Sequence, residues 1–368
     1  MSGDTIDATK KYQQISARIR ELIGSGTLAP GARIATEREL AAEYGVSRPT
    51  VTRALNDLAA EGLIQRRVGS GSFVADRERT AHHPTFGLLV PGLGRGEIFE
   101  PVCARIAERA AADRFTLNWG GSTGNSREQL LKTVDGYLAQ RVDGIFFQPA
   151  ELDPSRREIN RAVLERLRDS GMPVVLLDAD YLPFPERSGF DIVGIDNIRA
   201  AWVATAHLTA QGATRVDFVT RPHTATTVER RIDGYRLGLL AAGIVPTADW
   251  EHSLDPEHLA GVERMLASGA RDIVCVNDET AALLMPSLEA LGVSVPDEVR
   301  LIGFDDVKYA RLVRVPLTTL RQPCEALGDA AVEAMLGRVA QPDRAPREIL
   351  LEAELMVRTS SLRNRAGE

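Results

Sequence analysis

A cluster of polar and basic residues at the start of a short predicted helix could read nucleic acid. Ser47, Arg48, Pro49, Thr50 and Arg53 crowd the run VSRPTVTRAL. Arginine presents a planar fork that can contact two acceptors on one base edge. In a helix-turn-helix, the N-terminal residues of the second helix meet the bases. The pattern predicts that Arg48 contacts a base and that Thr50 contacts a base or the DNA backbone.

Two short helices are predicted to position this cluster. Thr36 with Glu39 three residues later is a capping-box start, and Gly45 supplies the left-handed residue that ends the first helix. Ser47 is a natural N-cap for the second helix, which runs to Gly62. A tight glycine turn between two short helices is typical of a helix-turn-helix.

A small β-hairpin is predicted directly after the second helix. Residues 63–68 and 72–75 can pair as strands across a glycine-rich turn, and the hairpin's two arginines are expected to contact phosphates as a wing. The alternative is that residues 36–74 form an ordinary helical hairpin whose arginines are solvated. In that case the helix cap, the glycine turn, the wing and the basic residues would occur together by chance. The predicted DNA contacts outside the second helix are Arg38, Arg66, Arg67 and Gly71.

The first 75 residues resemble the winged-helix DNA-binding domain of GntR-family bacterial transcription regulators. The resemblance rests on the run TERELAAEYGVSRPTVTRALNDLAAEGLIQRRVGSGSFV and on an amphipathic helix before it, with apolar residues at helical spacing from Tyr12 to Ile23. It implies a domain at residues 10–76 that binds double-stranded DNA. Residues 1–9 are predicted to form a disordered tail.

Length and charge indicate two or three folding units. The chain has 368 residues and a net charge of −7, which divides into +2 up to Arg79 and −9 beyond it. A basic N-terminal part followed by an acidic remainder is expected when only the N-terminal part binds phosphates.

Cys103, Cys275 and Cys324 are too few and too scattered for a disulfide framework or a zinc site. No apolar run approaches the roughly 18 residues of a membrane span, so we expect a cytoplasmic protein. We also expect no cofactor.

The remainder of the chain has the pattern of an α/β fold. After a polar stretch at residues 77–85, interpreted as a linker, runs such as FGLLV, GIFFQP, PVVLLD, DIVCVN and RLIGFD alternate with amphipathic helices. This spacing predicts parallel sheets covered by helices on both faces, with a ligand site at the C-terminal ends of the strands. The polar residues that follow these runs are Gln148, Asp178, Asp196, Asn197, Asn277, Asp278, Asp305 and Asp306.

Residues 86–361 resemble the effector-binding domain of LacI-type repressors, which is akin to periplasmic sugar receptors. The resemblance rests on segments including VDGIFFQP, MPVVLLDADY, RRIDGYRLGL, VNDETA, VPDEVRLIGFDD and PLTTLRQP. It implies two lobes between which the chain crosses three times, with lobe one at 86–194 and 322–342 and lobe two at 195–321 and 343–361. With the head attached, the chain looks most like the arabinose-repressor subgroup.

The same resemblance implies a set of effector contacts between the lobes. Carboxylates and amides suit a polyhydroxylated ligand, because each can bind a pair of hydroxyl groups, so a sugar is the expected ligand class. The implied contacts are Phe99, Gln148, Asp178, Arg231, Asn277, Asp305 and Gln322. Arg230 precedes Arg231, and the choice between them stays open. Asp196 and Asp306 are better explained as residues that cap helices or tie loops.

Three patterns typical of enzymes or metal sites are weaker. PGLGRGEI at residues 91–98 lacks the full dinucleotide fingerprint. GGSTG at residues 120–124 fits the GxSxG nucleophile motif, but Ser126 makes the better start of the next helix. His82 and His83 fit a solvated linker better than a metal site.

Two rival functions can be weighed against a regulator. A winged-helix head fused to a pyridoxal-phosphate enzyme needs a buried Schiff-base lysine, and Lys10, Lys11, Lys132 and Lys308 do not suit that role. A sugar-binding module without a DNA role is countered by residues 36–74. The leading hypothesis is a homodimeric repressor of a carbohydrate-utilisation operon that binds a palindromic operator. The ligand's identity, the operator, and whether the ligand releases or recruits DNA stay open.

Overall fold

The chain divides into two compact units, residues 1–83 and residues 84–368. The computed structural model describes residues 3–67, 70–75, 83–91, 98–120 and 126–362. Most of the predicted linker, of the PGLGRGEI loop and of the GGSTG motif therefore lies outside the described residues.

The first unit packs helices around a small apolar core and adds a two-stranded wing. Ile15, Leu55 and Leu58 are almost fully buried in that core. The wing strands pair antiparallel, with Ile64 opposite Val74. The elements are α1 (Gly3–Gly24), α2 (Glu37–Tyr44), α3 (Arg48–Ala60), β1 (Ile64–Arg67) and β2 (Gly71–Val74).

The predicted starts and stops of these helices have a clear hydrogen-bonding basis. The Thr36 hydroxyl accepts a bond from the Glu39 N–H at 3.3 Å, and the Thr36 N–H donates to the Glu39 carboxylate at 2.7 Å. Gly45 adopts the left-handed conformation at φ 60° and ends α2. The capping box and the glycine stop are therefore confirmed.

The prediction of a disordered tail at residues 1–9 is wrong from Gly3 onward. The first helix begins at Gly3 and continues without a break to Gly24. No proline or glycine interrupts the sequence between these two residues, so nothing local stops the helix from extending toward the N-terminus.

The second unit contains two parallel sheets covered by helices, which confirms the predicted two-lobe α/β architecture. In the described residues, lobe one has the strand order β13-β7-β6-β5-β3-β4 and lobe two has the order β14-β12-β11-β10-β8-β9. Only β14 in lobe two pairs antiparallel, with β12. The strands are β3 (Thr85–Leu89), β4 (Thr116–Trp119), β5 (Gly144–Phe147), β6 (Val174–Leu177), β7 (Asp191–Ile195), β8 (Asp217–Thr220), β9 (Glu251–Ser253), β10 (Asp272–Cys275), β11 (Arg300–Asp305), β12 (Thr318–Arg321), β13 (Glu348–Leu351) and β14 (Glu354–Met356). The helices are α4 (Phe99–Ala112), α5 (Arg127–Ala139), α6 (Arg156–Asp169), α7 (Asn197–Ala210), α8 (Thr227–Ala241), α9 (Leu259–Ala267), α10 (Asp278–Ala290), α11 (Tyr309–Leu312) and α12 (Cys324–Ala340).

The expected lobe limits need one correction, at the third crossing between the sheets. Residues 343–361 were assigned to lobe two, but β13 pairs in parallel with β7 of lobe one, with Glu348 opposite Ile192. The chain therefore crosses to lobe two between Leu351 and Glu354. Periodicity cannot reveal this choice, because both lobes offer an open sheet edge to an apolar strand.

The strands around the predicted ligand edge are buried on both faces, as their continuous apolar runs predict. Every residue of β5, β6 and β10 is buried.

Burial raises the pKa of the Cys103 thiol to about 12, so that cysteine behaves as an unreactive core residue. None of the described helices is long and apolar enough to cross a membrane.

Candidate functional site

The predicted DNA-reading residues lie at the exposed start of α3. Arg48 and Pro49 occupy the first two positions of the helix, and both are exposed. Ser47 holds the N-cap position, but its hydroxyl pairs with the Thr50 hydroxyl at 2.9 Å instead of with a backbone N–H. The expected capping bond is therefore absent at this residue. The Ser47 and Thr50 hydroxyls and the exposed Arg48 all lie at the start of the helix.

The arginines farther along this surface have different surroundings. Arg38 is exposed on α2. Arg53 is exposed on α3, and its guanidinium lies 5.1 Å from the centre of the Tyr12 ring. A cation held over an aromatic ring keeps its charge and loses some of its freedom. Arg53 can therefore present a positioned charge to a phosphate.

Arg66 of the wing is bonded within the protein, whereas the sequence predicts a phosphate contact there. Arg66 forms a salt bridge with Glu37 of α2 and donates a hydrogen bond to Asn56 of α3. These contacts tie the wing to both helices. The side chain of Arg67 lies outside the described residues. Gly71 adopts φ 113°, and a Cβ there would come within 3.3 Å of Arg33, so a glycine is required at this turn.

Arg231 is buried, and its charge acts on Asp178 of lobe one. It is 5% exposed, its Nε donates to Asn197 at 2.7 Å, and one terminal nitrogen donates to the Val276 carbonyl at 2.5 Å. The ring of Phe304 covers the guanidinium at 4.5 Å. Arg230 instead forms a 3.2 Å salt bridge with a carboxylate of β13. Arg230 also lines a cavity of about 230 Å³ together with Asp178.

Two of the predicted carboxylates stand at strand ends in an uncommon backbone conformation. Asp178 follows β6 with φ 71°, and Asp305 ends β11 with φ 111°. A positive φ at a residue other than glycine is uncommon and often marks a functional site. Burial raises the pKa of Asp178; the charge of Arg231 opposes the rise, and the charge of Asp305 adds to it. Asp178, Asp305 and Arg231 thus lie within electrostatic reach of one another although they come from different lobes.

Gln322 joins this group at the second crossing between the lobes. Its amide nitrogen donates to the Asp305 carboxylate at 2.7 Å, and the residue is 4% exposed. A carboxylate can only accept, so the amide orientation is fixed by its chemistry. The structure thus brings Asp178, Arg231, Asp305 and Gln322 together, as the family resemblance implies.

The remaining implied contacts have structural roles or are buried in a lobe. Asn277 caps α10, where its side-chain oxygen accepts bonds from the Thr280 N–H and hydroxyl at 2.9 and 2.6 Å. Phe99 starts α4 and is 5% exposed within the apolar core of lobe one. Gln148 is buried just after β5, and its N–H donates to the Leu89 carbonyl at 3.0 Å.

The two aspartates that the sequence favours as structural residues have structural partners. Asp196 caps α7 by accepting from the Arg199 N–H at 2.9 Å. Asp306 accepts from Arg321 at 2.7 Å and from Arg358 at 2.5 Å. Burial raises the pKa of Asp306, but these two hydrogen bonds outweigh it and hold the pKa below its usual value.

Sequence reasoning missed Glu151, a partly buried carboxylate on the loop after β5. Burial, together with the negative charges of Asp178 and Asp305, raises the pKa of Glu151 to about 7. The positive charge of Arg231 opposes this shift. Glu151 therefore belongs to the same electrostatic group as the cleft residues. Its place three residues after Gln148, at a strand end, was the signal that could have identified it.

The lobes are bridged beside Glu151 by loops that follow β5 and β8. The Leu152 N–H donates to the His223 carbonyl at 2.7 Å, and the Arg156 guanidinium donates to the Thr224 carbonyl at 3.1 Å. These two hydrogen bonds connect lobe one to lobe two.

Comparison with known proteins identifies both parts of the chain. Residues 11–74 match the model of "Bacterial regulatory proteins, gntR family", and residues 205–361 match the model of a periplasmic binding protein-like domain. The chain is a transcription regulator with a GntR-type DNA-binding domain. Its second unit is of the type found in LacI-like regulators, as the sequence resemblance predicted.

Similar full-length proteins are sugar-operon repressors, which confirms the expectation of a regulator over an enzyme. The regulator is 27% identical to the arabinose metabolism transcriptional repressor of Halalkalibacterium halodurans, over 95% of this chain and 96% of that protein. It is 26% identical to the ribose operon repressor of Escherichia coli, over 89% of this chain and 100% of that protein. The transcription regulator CcpA of Lactococcus lactis shares the fold, with a TM-score of 0.65 and 23% identity over 76% of this chain and 99% of that chain.

Proposed function

We propose that the regulator is a cytoplasmic, homodimeric repressor of a carbohydrate-utilisation operon. In this proposal the first unit binds a palindromic operator, and a sugar or related small polar molecule binds between the lobes of the second unit. Its similarity to repressors named for arabinose and ribose supports this ligand class. The cytoplasm is the compartment in which a bacterial regulator meets its DNA.

The observation that carries the ligand half of the proposal is the meeting of Arg231, Asp178, Asp305 and Gln322. Asp178 comes from lobe one, whereas Arg231 and Asp305 come from lobe two. A ligand held by residues of both lobes binds the closed arrangement better than an open one, and this difference in affinity is what can shift the equilibrium. The four side chains offer donors and acceptors suited to several hydroxyl groups of one molecule.

The proposed DNA contacts are the exposed residues at the start of α3. Arg48 is exposed at the start of the helix, so it can reach a guanine edge. Thr50 and Ser47 can contact the backbone, and Arg53 a phosphate. Arg66 supports the reading helix indirectly, because it fixes the wing against α2 and α3.

We propose that the protein dimerises through the second unit. Val102 and Ile106 of α4 are 4% and 0% exposed within their own lobe, so they are not free to pack on a partner. Lobe two instead has an apolar groove of about 620 Å³ lined by residues such as Met285 and Val313. Leu312 beside it is 78% exposed, so it could extend the contact of this groove with a partner.

A two-part binding experiment tests the proposal. Selection from a random duplex library with the full chain should yield a palindromic sequence, and fluorescence anisotropy should give its affinity. A thermal-shift screen with pentoses, hexoses and their relatives should then find a compound that raises the melting temperature. That compound should also change the affinity for the selected duplex. A chain that enriches no sequence, or whose ligand leaves DNA affinity unchanged, would refute the proposal.

A further inference from the structure

The segment that precedes α2 is part of the wing, and it carries an arginine that the sequence did not single out. The Ile34 N–H donates to the Ser72 carbonyl of β2 at 2.8 Å. Next to this bond, Arg33 forms an antiparallel bridge with Phe73. The backbone of Arg33 is therefore held on the wing, although the residue lies before both helices of the reading unit.

The side chain of Arg33 lies against the turn of the wing. A Cβ at Gly71 would come within 3.3 Å of the Arg33 Nε and within 3.6 Å of a terminal nitrogen. Since glycine has no side chain, the guanidinium of Arg33 has room beside the backbone of the turn. Arg33 is also exposed. Its charge is therefore presented to solvent at the surface of the wing turn.

The bonds of Arg33 differ from those of Arg66, the other arginine whose side chain is described in the wing. Arg66 forms a salt bridge with Glu37 and donates a hydrogen bond to Asn56, so it would have to give up both bonds to reach DNA. Arg33 forms no salt bridge and donates no hydrogen bond to any residue that the structure describes. Of the two, Arg33 is the arginine that can meet an anion without losing a protein contact.

The carboxylate beside this segment does not neutralise Arg33 through a direct contact. Glu39 accepts hydrogen bonds from the Thr36 N–H at 2.7 Å and from the Thr36 hydroxyl at 2.9 Å, as part of the capping box. Arg38, on the first turn of α2, is exposed like Arg33. Two exposed arginines on either side of the Thr36 cap make a basic surface of the kind that attracts phosphates.

We infer that Arg33 binds a phosphate of the DNA backbone at the turn of the wing, and that Arg66 holds the wing in position for this contact. The glycine at position 71 lets the phosphate approach the guanidinium. The contact adds sequence-independent affinity to the base contact proposed for Arg48. This inference rests on the proposed binding of DNA by the first unit, and it is independent of the effector.

The salt dependence of DNA binding tests the inference with the full chain. Anisotropy is measured at several salt concentrations on the selected operator and on a duplex of random sequence. Arg33→Ala should weaken binding to both duplexes by a similar factor, roughly tenfold near 0.1 M salt. It should also reduce the slope of log affinity against log salt by about 1 for each bound protomer. An unchanged slope, or a loss confined to the operator, overturns the inference.

Two further variants separate the charge of Arg33 from its other properties. Arg33→Lys keeps the positive charge and should keep the wild-type slope, because a phosphate contact needs a cation and not a planar fork. Arg18→Ala removes a charge from an exposed position on α1 and should also keep the slope. All three variants should melt at the wild-type temperature, since both side chains are exposed. A Lys variant with the slope of the Ala variant contradicts a phosphate contact.

Neutral phosphates in the operator provide a test at single-contact level. Methylphosphonates replace one phosphate at a time, and the affinity of each duplex is measured with the wild type, Arg33→Ala and Arg18→Ala. One position in each half-site should weaken the wild type and the Arg18 variant by roughly tenfold but have little effect on the Arg33 variant, because its partner is already lost. If every position has the same effect on all three proteins, Arg33 does not bind a phosphate.

Failure of this inference and failure of the proposed function give different results. If the chain selects a palindromic operator and Arg33→Ala retains the wild-type slope, the regulator functions as proposed and the inference about Arg33 is wrong. If the wild type enriches no sequence, the proposed function is wrong, and the random duplex still tests whether Arg33 contributes a phosphate contact.

Discussion

Neighbouring residues of the same type can have unrelated roles, and Arg230 and Arg231 are an example. Arg230 pairs with Glu348 on the flank of the cleft, whereas Arg231 is buried against Asn197 and Phe304. The two side chains leave a helix about 100° apart, so one faces the sheet when the other faces the flank. Gly234, three residues after Arg231, lets α8 approach the backbone of α7 at Ile198. This close contact fixes the rotation of α8, and therefore which of the two arginines faces the sheet.

Arg231→Ala should remove the response to the effector. The loss of a charged donor to a ligand costs about 1.5 to 3 kcal/mol, or roughly 10-fold to 150-fold in effector affinity. Isothermal titration with the ligand found by thermal shift measures this loss. Arg236→Ala removes the same charge from an exposed position on the same helix, so it is the matched control and should keep the effector affinity within about twofold. The assignment fails if the two variants lose affinity equally.

Arg48→Ala should weaken binding to the selected operator by about 1 to 3 kcal/mol. The side chain is exposed at the start of α3, so its removal should leave the melting temperature unchanged. Arg18→Ala removes the same charge from an exposed position on α1, and we expect it to keep sequence-specific affinity. If anisotropy shows that the Arg48 variant binds the operator as tightly as the wild type, Arg48 does not contact a base.

At the scale of elements, Asp306 links three segments of lobe two. It lies just after β11 and accepts hydrogen bonds from Arg321 at the end of β12 and from Arg358 after β14. Its side chain is 1% exposed, so these are buried ion pairs. The removal of one partner from such a network leaves uncompensated charge in the interior.

Asp306→Asn should therefore lower the free energy of unfolding by about 3 kcal/mol. Asp196→Asn is the contrasting control, because asparagine caps a helix as well as aspartate does. Thermal unfolding of the full chain compares them. Because the pKa of Asp306 is held below its usual value, its contribution should be present at neutral pH and be lost only as the pH falls through that lowered pKa. Equal melting temperatures for the two variants would contradict this role.

The sequence predicts elements better than it predicts which surfaces meet. Strand-end residues such as Asp178 and Asp305 could be identified because a parallel sheet gathers the C-terminal ends of its strands at one edge. Glu151 could not, because its role depends on a loop of lobe one that meets a loop of lobe two. The placement of β13 was wrong for a similar reason, since local pattern does not decide between two available sheet edges. The bonds of Arg66 likewise depend on tertiary contacts with Glu37 and Asn56.

At the scale of the whole molecule, charge and exposed apolar surface indicate different partners. The head carries +2 and the remainder −9, so attraction to phosphates is confined to the first 79 residues. For the second unit we propose a second copy of the chain as the partner, at Leu312 and the groove of lobe two beside it. A repressor that binds a palindrome needs both properties.

Leu312→Glu should convert the proposed dimer to a monomer. The side chain is 78% exposed beside the groove that contains Met285 and Val313, and a charge there would be buried in the interface. Sedimentation at micromolar concentration should show the lower mass. Val245→Glu places the same charge at a 72% exposed position away from the groove and should leave the dimer intact. A dimeric Leu312 variant would exclude this face as the interface.

The most direct test of the central claim is the thermodynamic coupling between DNA and effector in the full chain. Anisotropy gives the affinity for the selected operator with and without saturating ligand, and calorimetry gives the affinity for the ligand with and without operator. Because coupling between two binding sites is reciprocal, both ratios must be the same factor, which we expect to lie between about 5 and 150. A ratio of one in both experiments, with each partner binding normally by itself, would show that the cleft does not control the DNA-binding head.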